Sequence, residues 1–589
     1  MTEHYSPLPQ TSEAFEQLSW AQIELWYREL EATPLSPRTL EPWLKQWSWL
    51  SALIDETQVW LEIATTRDTA DEALSQRRQR FLDEIFTPVQ NYEQRMKQQL
   101  LASGLSTEGL TILLRKLWVD TRLFHPENIP LLNEEKRLGE AYMSINGAQT
   151  VLWEGKEVPV FSLHPAIQDP NRERRERAWQ TFHKRKFEDF EALNEVWVKH
   201  MQVRQQIAHN AGYDNYREYR WQQLYRFDYT PDDCKTLHEA VERVIVPVVS
   251  QLAEKRRKRL GVETLRPWDS SVGLLLSTVP RPIADINALL RQCAGMFSQI
   301  DPALGGYFAT MIKEHCFDLD ERANKAPGGY NGVLEVRQLP FIFAHVRTIQ
   351  DIIDPLFHEA GHAFHAFEMS RLPYIHQRRE DMHPREFGEV ASTSMEYIGS
   401  MNLVSSGLCT EQEARNLRLQ HLEKTLSDLP HLIRGDAFQH WIYENPEQAM
   451  DTEAVGQKWE ELGRRFEPYL DWSGLEALNK NAWQHSLHFF VAPFYYIEYA
   501  FALIGALQVW RNYLHDPQSA IQRYRHALSF GATRSLPELY AAAGAKFAFD
   551  TATLQNVVQF VVRKIEELEQ EAEWIDHAAI EASEPMKED

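Results

Sequence analysis

The chain has 589 residues, which is long enough to bury a large hydrophobic core and by length alone predicts two to four domains. Hydrophobic residues make up 43% of the sequence and charged residues 25%, and its 18 tryptophans argue against a disordered chain. The formal net charge of −23 disfavours nucleic acid and anionic membrane surfaces as partners, because binding to either requires basic patches. The charge is compatible with a globular enzyme whose substrates are neutral or cationic, although a diffuse negative charge is usually only a solvated surface.

The cysteines and the apolar runs indicate a compartment. None of the four cysteines forms a CxxC pair, so their spacing indicates neither a thiolate zinc site nor a redox motif, and free thiols suit a reducing environment. The first ten residues lack the basic and apolar regions of a signal peptide. The longest apolar run, 500–510, is too short to cross a bilayer. We therefore expect a cytoplasmic protein that does not enter the membrane.

Residues 11 to about 150 have the apolar spacing of helices. The pattern is carried by Phe15, Leu18, Trp20, Ile23, Trp26 and Leu30, and then by Trp43, Trp47, Leu50, Leu53 and Ile54. Short β-like runs at 150–153 and 158–162 follow, on either side of a turn that contains Gly155. This change of character predicts an N-terminal helical lobe over 1–155 and a second region over 156–589.

A Gly-rich segment at 325–332 precedes a run of strand-forming residues at 339–346. The glycines lack the spacing of a phosphate-binding loop, so we expect a small sheet around 325–346 rather than a nucleotide site. Pro340 has no N–H to donate, which predicts an edge strand. An extended peptide could add to such an edge, unless a loop covers it. The candidate substrate-binding residues of this strand are Phe341, Phe343 and Ala344.

The chemistry is expected around one motif, His358-Glu359-x-x-His362. Residues four apart share a helix face, so the two imidazoles can reach one metal ion while Glu359 holds a water molecule bound to it. The flanking residues are apolar almost all round, which predicts a buried helix. Gly361 costs about 1 kcal/mol relative to alanine inside a helix, which indicates that another element approaches closely there. Two hydrogen-bonded core histidines are the alternative interpretation of this motif.

A third ligand is expected on a second helix that starts near Pro384. Glu389 is the first candidate, because the small residues at 391–393 would let this helix pack tightly against the HExxH helix. Glu386 and Glu396 fall near the same face and remain open alternatives, with Glu396 also able to orient a ligand histidine. His365 could compete as a ligand, but we interpret it as a neighbour.

Helices are expected again over 400–470, interrupted by a turn at 427–431 that contains Pro430. An aromatic-rich stretch follows at 485–499, in which Tyr495 and Tyr499 lie four apart on one helix face. Aromatic helix starts pack into cores more commonly than they take part in chemistry, so the residues alone leave the role of these tyrosines open.

The two segments HEAGHAFH at 358–365 and GEVASTSMEY at 388–397 resemble the thimet oligopeptidase and oligoendopeptidase F group of zinc peptidases. The resemblance continues in order and spacing from about 160 to 545, whereas before 150 it is only one of helical character. Asn171 departs from it, since the family has Asp at that place. In this family the third ligand is the Glu that opens the second segment, which here is Glu389.

The resemblance also implies a fold and further site residues. It implies a mainly α, helical zincin-like fold in which two helical lobes surround a deep substrate channel. It implies that a glycine loop lies by the active site, which points to Gly328, Gly329 and Tyr330. It further implies that a histidine and two phenols donate hydrogen bonds to the substrate carbonyl and its oxyanion, and these match His488, Tyr495 and Tyr499.

The expected function is a zinc-dependent oligoendopeptidase with one Zn²⁺ ion, held by His358, His362 and Glu389. Glu359 would activate the zinc-bound water that attacks internal bonds of short, unstructured peptides. A peptidyl dipeptidase or carboxypeptidase of related type is the first alternative, and it would need a pocket for the terminal carboxylate. A non-catalytic peptide-binding protein is a more remote alternative, against which the intact Glu359 argues.

Overall fold

The computed structural model describes residues 5–107, 109–270, 281–379 and 381–583. Helices make up 71% of the fold and the sheets are small, so the predicted mainly α fold class is confirmed. Within the described ranges, no helix combines the length and the hydropathy that a membrane-spanning segment needs.

The helices vary widely in length and follow one another with short connections over most of the chain. In chain order they are α1 (Ser12–Glu16), α2 (Trp20–Ala32), α3 (Leu40–Arg67), α4 (Glu72–Phe81), α5 (Thr87–Ser103), α6 (Thr111–Leu123), α7 (Asn128–Gly147), α8 (His164–Ile167), α9 (Arg172–Glu188), α10 (Phe190–Asn210), α11 (Tyr216–Gln223), α12 (Pro231–Leu260), α13 (Ile286–Ile300), α14 (Pro302–Lys313), α15 (His358–Met369), α16 (Arg385–Ser400), α17 (Glu411–Glu444), α18 (Thr452–Phe466), α19 (Glu476–Asn481), α20 (Leu487–Val491), α21 (Tyr496–His515), α22 (Pro517–Leu528), α23 (Leu536–Ala542) and α24 (Thr551–Ser583). The strands are β1 (Thr150–Trp153), β2 (Lys156–Pro159), β3 (Phe317–Asp318), β4 (Tyr330–Leu334) and β5 (Leu339–Phe343).

The chain forms two compact units, each assembled from three separate stretches of sequence. The first comprises 1–121, 280–414 and 501–547, and the second comprises 122–279, 415–500 and 548–589. Three of the boundaries between them in the sequence fall within helices, namely α6, α17 and α21. Compact units defined by contacts need not coincide with the domains of a family, so the division into 1–155 and 156–589 stays a prediction.

The core of the first unit is built on the helical residues that the sequence indicates. Trp43 and Trp47 lie one turn apart on α3 and are fully buried, with ring centroids 5.1 Å apart. Phe15, Ile23 and Leu30 are buried in the same cluster. The apolar spacing thus predicts both the helices and the faces that they bury.

A three-stranded sheet lies beside α15 in the first unit, as predicted, but its strand order differs from the expectation. β5 is the central strand, antiparallel to β4 and parallel to β3, so the predicted edge position of 339–346 is wrong. The short β3 pairs only with Ile342 and Phe343, so the missing N–H of Pro340 has no β3 residue opposite it. The two edge strands of this sheet are β3 and β4.

The second unit contains the predicted hairpin. β1 and β2 pair antiparallel from Thr150 opposite Pro159 to Trp153 opposite Lys156. The turn residues Glu154 and Gly155 have φ angles of 49° and 82°, the left-handed backbone that tight hairpin turns require. Beyond Pro159 the chain turns into a short helical segment, so the second strand is shorter than predicted.

Helix α17 continues through Pro430, so the predicted interruption at 427–431 is wrong. A proline inside a helix removes one backbone hydrogen bond and usually bends or ends it. Here Leu426, Leu429 and Ile433 are all almost completely buried on either side of Pro430. Burial of these side chains therefore outweighs the local preference of proline.

Candidate functional site

The paired histidines lie at the start of α15, in the first unit. The His358 and His362 rings lie one helical turn apart, with centroids 5.0 Å apart and planes at 79°. Ala360, Ala363 and Phe364 are completely buried, whereas the two imidazoles are 22% and 25% exposed. The helix is thus buried, as predicted, and the two imidazoles remain partly accessible.

Glu389 on α16 reaches toward the same point as the histidines. Its Oε2 atom lies 3.4 Å from His358 Nε2 and 3.8 Å from His362 Nε2. Among the described residues, these three side chains form a group that could hold a metal ion, with donor atoms within 4.8 Å of one another. Ser392 donates a hydrogen bond of 3.2 Å from Oγ to Glu389 Oε2 and so fixes the carboxylate.

α15 and α16 approach each other through backbone atoms at Gly361. A Cβ atom at residue 361 would lie 2.5 Å from Ser392 Cα and 2.6 Å from Ala391 O. Only glycine leaves room for this contact, so the close approach predicted from Gly361 and the small residues of α16 is confirmed. Farther along α16, a Cβ atom at Gly399 would lie 2.6 Å from the Phe357 ring.

Glu396 orients one of the two histidines. His358 Nδ1 donates a 2.6 Å hydrogen bond to Glu396 Oε1, which leaves Nε2 directed at Glu389. In the metal-free chain, burial opposes a charge on His358, but hydrogen bonds to Glu389 and Glu396 prevail and raise its pKa well above the ordinary value. Burial lowers the pKa of His362 to about 4, so this imidazole is neutral near pH 7.

Glu359, which follows the first histidine, is buried beside the glycine-rich segment. A Cβ atom at Gly329 would lie 3.7 Å from Glu359 Oε1 and 3.4 Å from Phe343 O, so the loop lies against both the carboxylate and β5. Asn331 Nδ2 donates a hydrogen bond of 3.5 Å to the Glu359 backbone carbonyl. The glycine loop and the HExxH helix are thus adjacent within one unit.

The predicted substrate-binding residues lie on the loop before β4, on the paired strands β4 and β5, and at the position directly after β5. Tyr330 opens β4 opposite Phe343, with the two rings stacked at 5.0 Å, and its hydroxyl lies 2.6 Å from Thr66 Oγ1. Phe341, Phe343 and Ala344 are almost completely buried. These three side chains support the sheet rather than project from an exposed edge.

His488, Tyr495 and Tyr499 form a cluster of rings in the second unit. The His488 ring lies 5.5 Å from Tyr495 and 6.0 Å from Tyr499, and the two tyrosine rings are 4.9 Å apart. α21 begins at Tyr496, three residues after Pro493, and Phe494 has a φ of 67° just before it. Burial lowers the pKa of His488. The structure therefore brings these three side chains together.

Two of the alternative ligands take other positions. Glu386 is 5% exposed, and it is not part of the described group of donors around the histidine pair. His365 is buried with its ring 4.8 Å from His383. Burial lowers the pKa of His365 well below its ordinary value, as expected for a neutral core imidazole.

Two residues near the site were not predicted from the sequence. Ser392 was considered only for its small size, although a serine three positions after a glutamate on a helix can reach its carboxylate. Asn331 contacts Glu359 although the two residues are 28 positions apart, and no local sequence pattern predicts that contact.

Comparisons with known proteins identify a family for the chain. The model of a family described as Peptidase family M3 matches residues 166–272 and 307–558, which is more than half of the chain. An oligoendopeptidase F homologue of Borreliella burgdorferi is 23% identical over 339 residues, covering 55% of this chain and 54% of that protein. The match therefore spans about half the length of this relative.

Solved structures share the fold over nearly the whole chain. PZ peptidase A, solved with an inhibitor, has a TM-score of 0.83 and 26% identity, and the match covers 96% of this chain and 99% of that one. A protein assigned to oligoendopeptidase F has a TM-score of 0.84 and 26% identity, over 94% of this chain and 98% of that one. With the family model matched across α15, α16 and the start of α21, the chain belongs to peptidase family M3.

Proposed function

We propose that the protein is a zinc-dependent oligoendopeptidase, which hydrolyses internal bonds of short, unstructured peptides. The observation that carries the proposal is the convergence of His358, His362 and Glu389 from two helices, with Glu359 buried beside them. Two imidazoles and a carboxylate are the donor set of a catalytic zinc site that keeps a fourth position open.

The donor atoms suit an ion of the size of Zn²⁺. With bonds of about 2.1 Å at tetrahedral angles, two donors are separated by about 3.4 Å. The distances from Glu389 Oε2 to the two Nε2 atoms are 3.4 and 3.8 Å. His358, His362 and Glu389 would therefore hold the ion with little movement of α15 and α16. When bound, a divalent cation polarises water and the scissile carbonyl.

Glu359 is the proposed general base. Its carboxylate accepts the proton of the attacking water and delivers it to the amine that leaves, so one group serves both halves of the reaction. Burial of Glu359 beside Gly329 keeps bulk water away from this proton. The phenols of Tyr495 and Tyr499, aided by His488, are proposed to donate hydrogen bonds to the carbonyl oxygen as it gains negative charge.

The edge of β4 is the proposed docking line for the peptide. In an antiparallel pair, alternate residues direct their backbone groups away from the partner strand, and in β4 these are Asn331 and Val333. An extended peptide can pair with them as an added strand. Gly328, Gly329 and Tyr330 would bring that peptide past Glu359, while Phe341, Phe343 and Ala344 hold β4 in place.

A defined mixture of peptides tests the proposal. The purified protein is incubated with peptides of five to twenty residues, with free or blocked ends, and the fragments are identified by mass spectrometry. We expect internal cleavage of both sets, loss of cleavage after chelation and its recovery when Zn²⁺ is added. Cleavage confined to peptides with a free end would instead support a dipeptidase or carboxypeptidase. Absence of any cleavage by metal-loaded protein would refute the enzymatic assignment.

A further inference from the structure

A second cluster of metal-ligand side chains lies in the interior of the second unit, on α12 and α17. α12 carries Cys234 and His238, and α17 carries Asp436 and His440. Each pair is four residues apart, so both side chains of a pair share one helix face. The two faces meet, because His238 Nε2 lies 2.7 Å from Asp436 Oδ2.

Three of these side chains present donor atoms to a common point. The donors of Cys234, Asp436 and His440 lie within 4.8 Å of one another, the same limit that the histidine pair and Glu389 satisfy. His238 stands behind them as a partner of Asp436 Oδ2. A histidine or other donor that holds the second oxygen of a ligand carboxylate is a regular feature of metal sites.

The cluster is sealed from solvent. Cys234 and Asp436 are completely buried, and His238 and His440 are 4% and 2% exposed. In the part of the chain that the structure describes, Asp436 Oδ1 and His440 Nε2 have no hydrogen-bond partner. His440 Nε2 lies 3.3 Å from Asp436 Oδ2, an ion-pair distance, but the geometry is not that of a hydrogen bond.

These two polar atoms need a partner. Leaving a buried polar group without one costs about 1–3 kcal/mol, and more when the group is charged. A divalent cation would satisfy both atoms and would take the neighbouring sulfur of Cys234 as a third donor, since the carboxylate and the thiolate together supply two negative charges and the imidazole completes the donor set. Arg217, whose Nη1 atom lies 3.5 Å from His440 Nδ1, is paired with Glu444.

We propose that Cys234, Asp436 and His440 bind a second divalent cation, of the zinc class, that joins α12 to α17 and that His238 supports through Asp436. Binding releases the thiol proton of Cys234, which becomes the thiolate ligand. The thiolate and imidazole favour Zn²⁺ over Mg²⁺ or Ca²⁺, which prefer all-oxygen donors. The role is structural, because no donor of the cluster is exposed. This site is independent of the proposed peptidase function.

The absence of CxxC in the sequence does not exclude this site. Two i, i+4 pairs from helices about 200 positions apart in sequence provide the donors, so no compact motif appears. The burial of the cluster has a kinetic consequence. The ion would be acquired as the second unit folds and would leave slowly, whereas the partly exposed His358 and His362 allow exchange of the first ion.

Cobalt substitution distinguishes the two sites, because only the second contains sulfur. Full-length protein is produced with Co²⁺ as the supplied metal and its near-ultraviolet spectrum is recorded. We expect a thiolate-to-Co²⁺ charge-transfer band in the wild type and in Cys293→Ser. That cysteine is completely buried on α13 and lies outside the described groups of metal donors, which makes it the matched control. In Cys234→Ser the band should disappear while the Co²⁺ of the first site remains.

Metal content of the Zn²⁺-grown protein provides the second measurement. We expect about two equivalents per chain in the wild type and about one in Cys234→Ser, with one equivalent of the wild type resisting dialysis against a chelator until the protein is unfolded. If Cys234→Ser does not fold, the wild-type cobalt spectrum and the chelator-resistant equivalent decide alone. About one equivalent in the wild type, together with no thiolate band, would overturn the proposal whatever the peptidase activity.

Discussion

Replacement of Gly361 by alanine tests whether the contact between α15 and α16 sets the geometry of the candidate site. The new Cβ would lie 2.5 Å from Ser392 Cα and 2.6 Å from Ala391 O. Ordinary contacts between such atoms are about 3.5–4.0 Å, so α16 has to move away by about 1 Å. The Tyr524 hydroxyl donates a 2.9 Å hydrogen bond to the same Ala391 carbonyl and resists that movement.

The expected effects follow from these distances. Alanine would gain about 1 kcal/mol of helix propensity, but overpacking costs about 1–3 kcal/mol, so we expect a net loss of stability. Because Glu389 is on α16, a shift of about 1 Å withdraws it from His358 and His362. Displacements of this size typically lower activity by about 100-fold, and we expect a parallel loss of metal affinity.

The assay compares Gly361→Ala with Gly306→Ala, a helical glycine of α14 in the same unit. A Cβ atom at Gly306 would meet nothing within 4 Å, so that variant should be as stable as the wild type or slightly more stable. Thermal unfolding, bound metal and kcat/KM on a quenched fluorescent peptide are measured for all three proteins. If Gly361→Ala behaves like Gly306→Ala in all three measurements, the contact does not control the site.

Further substitutions test individual roles. Glu359→Gln should keep its metal and lose about 100- to 10,000-fold in kcat because the general base is gone, and near-normal turnover would reject that role. Tyr499→Phe should lower kcat more than it raises KM, since the hydrogen bond from the Tyr499 hydroxyl is expected to strengthen in the transition state. Tyr496→Phe is the control, because the wild-type Tyr496 hydroxyl lies 2.7 Å from Ser486 Oγ. Glu396→Gln should weaken metal binding by about 10- to 100-fold, which competition with a chelating dye would measure. In the metal-free wild type, the pKa of His358 is raised by folding, so its proton stabilises the folded chain fully below about pH 6.5 and progressively less as pH rises through the folded pKa. A metal ion has to displace this proton, so metal affinity should increase with pH. The same dye titration should show no such trend if His358 is not a ligand.

The sequence alone predicts much of the candidate site, because the spacing of the two histidines and the glycine between them are features of one short segment. The helical repeat places His358 and His362 on one face, and a glycine between them is explained by a close neighbour, which the structure supplies as Ser392. The family resemblance selects Glu389 from three glutamates on one helix, and in the structure the Glu389 carboxylate lies within 3.8 Å of the Nε2 atoms of both histidines.

The errors concern packing between distant segments. Proline rules place 339–346 at a sheet edge, but the two-residue strand β3 pairs only with Ile342 and Phe343, so β5 is central while no β3 residue lies opposite Pro340. Pro430 predicts a break, yet the buried leucines and isoleucine around it keep α17 continuous. Similarly, the spacing of the cysteines does not predict that Cys234 lies near His440, since the proximity of these two residues depends on how α12 and α17 pack.

The backbone contact at Gly361 has a consequence for how readily the first site can be emptied and refilled. α15 and α16 already touch through main-chain atoms, and Tyr524 secures the far side of that contact. A metal ion is therefore not required to bring the two helices together, and removal of the ion should leave the positions of His358, His362 and Glu389 unchanged. The site should therefore bind spectroscopically informative cations in place of the native ion, without a change in the positions of α15 and α16.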